Sequence, residues 1–186
     1  TAITTGDDNT SVGYKAGYAL TTGTNNVLIG GNAGDAITTG TDNVALGRAS
    51  LTSDTLGQSS VAIGHQALFS QNFTSATHAY NVAVGKNAGL ALSTGVYNTL
   101  IGGLAGDAIT TGSNNASLGH LSLSANTTGG SNVALGAYAL YSNTTASDNT
   151  AVGKNALFVN TTGADNVAVG ASSLDANTTG ASNTGI

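Results

Sequence analysis

Apolar residues recur along this chain in one five-residue figure, Asn-(Val/Thr)-x-(Val/Leu/Ile)-Gly. It opens at Asn9, Asn26, Asn43, Ser60, Asn81, Asn98, Asn115, Asn132, Asn149, Asn166 and Asn183. The spacing is 17 residues at every step except Ser60 to Asn81, where it is 21, so four residues are inserted near Asn72–His78. A longer duplication overlies this period: Asn9–Ser59 closely resembles Asn81–Ser131, at an offset of 72. Repeats are numbered 1 to 10 from Asn9, and positions within each run from 1 to 17.

Positions 2 and 4 are apolar or β-branched with a small residue usually between them, the alternation of a short strand with one apolar face. Position 5 is Gly in all ten full repeats, which requires a positive φ or a close neighbour there. Positions 13 to 15 usually read Thr-Thr-Gly, a turn. Gly, Asn and Thr at this density argue against helix. A unit of 17 residues also leaves no room for a helix, a strand and two turns. The fold class expected is all-β: a parallel β-solenoid of ten coils over residues 1–186. At one strand spacing per coil the rod is roughly 48 Å long.

A covariation runs through every repeat. Where position 9 is Gly, position 12 is Leu or Ile (Leu20, Ile37, Leu92, Ile109). Where position 9 is Leu, position 12 is polar (Asp54, Gln71, Asn126, Asn143, Asn160, Asn177). The simplest cause is one interior slot per coil filled from either position, since close packing penalises both a void and a double filling. On this reading the polar residues at position 12 are more exposed than the apolar ones. The insertion should leave the coil as a loop without shifting the next register, and Phe73 within it needs a cover.

With positions 2 and 4 taken as interior, each coil offers about three sizeable apolar side chains against 17 ordered residues, a thin core for its conformational entropy. Position 3 is mostly Ala or Ser and position 8 always so. Small side chains let a second backbone approach, which places a subunit contact there, and three chains about one axis form the natural closed arrangement. Neither end carries a polar capping repeat, so the chain reads as one segment of a longer fibre protein, with other fibre domains at both ends.

Composition narrows the class. Charged residues are 7%, net charge is −5, and there is no Cys, Pro, Met or Trp. No basic surface exists to carry nucleic acid, and no apolar run approaches the roughly 18 residues of a membrane span. Asn-Val-Ala-Val-Gly (Asn81–Gly85, Asn166–Gly170) and Asn-Val-Ala-Leu-Gly (Asn43–Gly47, Asn132–Gly136) resemble the coil signature of trimeric autotransporter adhesin heads. The unit Asn149–Gly163 is similar to repeats of bacteriophage tail-fibre and marine viral fibre proteins. The resemblance spans essentially the whole chain. It implies a homotrimer on a virion tail fibre or at an extracellular cell surface, acting in host attachment. Adhesin-head coils run shorter than 17 residues, which favours the viral fibre. The alternative is an adhesin head that itself binds host matrix or glycan.

Candidate chemistry is sparse. Three His, nine Asp and no Glu form no catalytic pattern, so the chain reads as structural rather than enzymatic, with no cofactor and no metal site. Asp148 and Asp165 share position 17 on adjacent coils, about 4.8 Å apart at the strand spacing. They read as a carboxylate pair for a cation or as two solvated turn residues. The position-1 Asn residues read as a stacked amide ladder. Thr at positions 13 and 14 forms rows that resemble ice-binding arrays, broken at Leu56 and Phe73. Position 6 carries Arg48, His65 and Lys86 on consecutive coils, with the acids on other edges. This is a solvated edge, an anion-binding or partner-binding stripe, or one side of an intersubunit salt bridge.

Overall fold

The computed structural model describes residues 6–186. Among them every element is a strand, and each repeat folds as one coil of a parallel β-solenoid of about ten turns. Positions 2 to 4 of successive repeats form one eleven-stranded parallel sheet, from Thr10–Val12 to Thr184–Gly185, in strict chain order. The register is the repeat itself: Val44 pairs with Val61, Ala45 with Ala62, Leu46 with Ile63. The remaining wall is a run of turns that also bonds coil to coil. The N–H of position 9 donates to the position-8 carbonyl of the next coil, as Gly17 to Ala33 and Leu140 to Ala156. No helix of the described residues is long and apolar enough to cross a membrane.

Glycine at position 5 meets both requirements at once. Gly119 has φ 147°, and a Cβ there would lie 2.6 Å from the Gly136 carbonyl of the next coil. A column of glycine backbone runs the length of the rod because nothing larger fits.

The structure inverts the assignment of strand faces. Position 3 points inward and is wholly buried at Leu28, Ala45, Ala62, Ala83, Leu100 and Ala134. Positions 2 and 4 point outward, with Leu46 42% and Leu118 49% exposed. Position 8 is likewise interior, as Ala67 and Ala88 show, so neither small position marks a subunit contact. The reason is the narrowness of a 17-residue coil: the facing wall already delivers a large side chain from position 9 or 12, and only Ala or Ser fits opposite it. Position 3 becomes Leu only at Leu28 and Leu100, where glycine makes room. A Cβ on Gly34 would lie 2.7 Å from Leu28, and one on Gly106 2.9 Å from Leu100.

The single-slot reading needs a second correction. Leu20, Ile37, Leu92 and Ile109 are interior, as are Leu51, Leu68, Leu123, Leu140 and Leu157, so positions 9 and 12 between them supply one large aliphatic residue to each of these coils. The polar residues at position 12, however, are equally buried through Asn160. They stay inside because they close the turn. Asn126 Nδ2 donates to the Gly129 carbonyl at 2.8 Å, and Asn143 Nδ2 reaches both Ala146 O at 2.9 Å and Asn126 Oδ1 at 3.0 Å. Their amides form a second internal ladder beside that of position 1. The leucines at position 9 occupy the left-handed region, Leu140 at φ 51°, at a cost of about 1–2 kcal/mol each set against burial of a leucine.

The position-1 ladder runs as expected. Asn132 accepts the backbone N–H of Asn149 at 3.1 Å on Oδ1, while its Nδ2 donates to Ala146 O at 2.9 Å. Register is conserved across the insertion, where Val61 pairs with Val82. The insertion is more than a loop. Residues 74–76 are exposed, but Thr77–His78 rejoins the wall by pairing with Gly57–Gln58. Phe73 turns inward and is 6% exposed.

Candidate functional surface

The outer face of the long sheet is the most unusual surface of the molecule. A parallel sheet is normally covered on both sides; here the inner face packs on the turns and the outer face is open. It carries two rows at positions 2 and 4, made of Val, Ile, Leu and Thr with one Ala at Ala116, in register from coil to coil. Leu118, Leu46, Val169 and Leu135 are 49, 42, 40 and 38% exposed. Small, polar and charged residues lie on its two rims: position 17 just before each Asn, and position 6 just after each Gly.

The position-6 rim brings Arg48, His65 and Lys86 together as successive rungs. Backbone bonds fix the stacking: Gln66 N donates to Arg48 O at 3.0 Å and Asn87 N to His65 O at 2.9 Å. Arg48 Nη1 lies 3.0 Å from His65 Nε2. A guanidinium only donates, so His65 Nε2 is the acceptor of that contact. Arg48 and Lys86 are exposed.

The opposite rim is left-handed throughout: Asp42, Ser59, Tyr80, Tyr97, Asp148 and Asp165 all have φ between 48° and 62°. Asp and Asn tolerate that conformation, which accounts for the acids there. Asp148 and Asp165 are exposed turn residues, and no group of three or more metal-ligating side chains occurs among the described residues. The Thr rows are structural at position 13, where each hydroxyl donates to the next coil, as Thr127 Oγ1 to Thr144 O at 3.1 Å.

Sequence reasoning missed the aromatic clusters. Tyr80 stacks between His78 and Tyr97 at 5.6 and 5.8 Å, with Tyr80 and Tyr97 about half exposed. Tyr141 stacks on Phe158 at 5.3 Å with Tyr138 edge-on. Lys15 lies over Tyr14 and Tyr18. The signal was present in aromatic residues at equal positions on adjacent repeats, position 17 for Tyr80 and Tyr97 and position 10 for Tyr141 and Phe158.

No cleft or cavity is found among the described residues. No family model, curated protein or solved structure matches the chain.

Proposed function

We propose that this chain is a structural segment, shaft or head, of a homotrimeric virion or phage tail fibre that takes part in host attachment. The observation that carries the reading is the open aliphatic face of an eleven-stranded parallel sheet on a rod of stacked coils. Three such faces turned to one axis cover each other, and each chain then gains the second packed layer that its thin interior lacks.

Sedimentation equilibrium of the chain tests this. The expected mass is three times 18.0 kDa, and Leu118→Asp with Leu135→Asp, two outward residues, should return it to one times that value. Saturable binding of host matrix or a glycan by the assembled segment would instead favour the adhesin-head reading, toward which the exposed His78–Tyr80–Tyr97 stack points, since sugars pack on aromatic faces.

A further inference from the structure

Each strand of the long sheet carries one residue just before its position-1 residue and one just after its Gly, and in two of the strands these carry opposite charges. Arg48 closes the strand that Asp42 opens. Lys154 closes the strand that Asp148 opens. Lys86 closes the strand that Tyr80 opens. Two of the three Lys and Arg residues of position 6 therefore share a strand with an acid, while Asp165 opens a strand that Ala171 closes. Where position 6 is Gly, at Gly31 and Gly103, no cation needs an answer.

Within one chain these partners cannot meet. They stand on opposite rims, six residues apart, roughly 20 Å along an extended strand. Among the described residues Asp42 accepts a side-chain hydrogen bond from Asn25 Nδ2, at 3.2 Å, and Arg48 meets His65. The match has a purpose if the end of one strand lies beside the start of the same strand in another copy.

We propose that the two rims of the sheet form a head-to-tail subunit contact in which Arg48 pairs with Asp42 and Lys154 with Asp148 of the neighbouring copy. The inference rests on the trimeric reading above and deepens it. Rotation about an axis parallel to the rod keeps equivalent coils at one height. All strands then circulate in one direction, so the position-6 rim of each copy abuts the position-17 rim of the next. An antiparallel pairing of two faces would instead set repeat 9 against repeat 2, where Lys154 finds no acid at the matching rung. The charges would fix register along a rod whose 17-residue period otherwise allows slippage by whole coils.

The test is a charge exchange read by sedimentation equilibrium, with far-UV circular dichroism to confirm that the coils are intact. Arg48→Asp with Lys154→Asp should raise the concentration at which the trimer half-dissociates by about tenfold or more, through like charges at each rim. Adding Asp42→Arg and Asp148→Lys to the same chain should restore it. The neutral pair Arg48→Gln and Lys154→Gln should weaken the trimer less than the reversal. A trimer indifferent to the reversal, or a reversal that the compensating changes fail to rescue, overturns the pairing while leaving the trimer standing. A wild-type chain that sediments as a monomer overturns both.

Discussion

Repeats 7 to 9 and repeat 4 close the same coil with different chemistry. In the former, position 1 and position 12 are both Asn, and two amide ladders run in parallel through the interior, as at Asn132–Asn149 and Asn126–Asn143. Repeat 4 has Ser60 and Gln71 in those places, and the coil before it has Asp54. There the two ladders merge. Gln71 Nε2 donates to Asp54 Oδ2 at 2.7 Å and to Ser60 Oγ at 2.9 Å, and its Oε1 accepts Asn81 Nδ2 at 2.9 Å. One longer amide spans the gap that a short serine leaves. The fold demands an unbroken chain of buried donors and acceptors, whichever residues supply it. The irregular coil supplies it at the expense of a buried carboxylate. Burial raises the Asp54 pKa above the usual carboxylate value, offset in part by hydrogen bonds from Gln71, Gly57 and Phe73.

The comparison is broken most severely where backbones touch. Gly119→Ala forces a Cβ against the next coil in a region of positive φ and should cost about 3 kcal/mol or more. Gly31→Ala, where an added Cβ meets nothing within 4 Å, should stay within about 0.5 kcal/mol. Thermal melts of the two variants side by side check this. The next effect is a void: Leu123→Gly should cost about 2–5 kcal/mol. Adding Asn126→Leu should recover most of it, because it moves the boundary between the two coil types by one repeat.

Gln71→Ala should cost about 1–3 kcal/mol, since it removes one buried partner from Asp54 and one from Asn81, which keep the Gly57 N–H and the Gly95 carbonyl; denaturant titration measures it. The smallest effect is the pH dependence of Asp54. Its folded pKa is raised, so the folded state holds the proton more tightly than the unfolded one. That contribution is present below the usual carboxylate value and is lost as pH rises through the raised folded value. Asp54→Asn should flatten this part of the stability profile and gain stability at neutral pH. Its amide can donate to the Gly57 carbonyl, as Asn126 does to Gly129, while accepting from Gln71. A profile that is unchanged by the substitution would show Asp54 to be solvated.

The period, the glycine column, the position-1 ladder and the interior leucines were legible because each is a backbone or volume demand repeated ten times. Which face of the strand looks inward was not, because alternation defines two faces without saying which one is enclosed. The deciding clue lies in four residues: Leu28 and Leu100 at position 3 occur in coils whose position 9 is glycine, Gly34 and Gly106, so positions 3 and 9 share one space. The buried Asn of position 12 was misread for a related reason. Polarity argued for solvent, yet a turn carbonyl three residues on, such as Gly163 O for Asn160, offers an internal partner. Of the position-6 stripe, the stacking of Arg48 and His65 was readable from the period, whereas its place on the rim of an open face depended on the strand orientation.

The central claim is that the outer face of the long sheet is covered by two further copies of the chain. Cysteine is absent from the sequence, so Leu118→Cys places one unique spin label on that face. Pulsed electron spin resonance should then give a sharp distance between labels of about 10–15 Å, the scale of sheets packed face to face. A featureless decay, with no distance between chains at Leu118, would contradict the account.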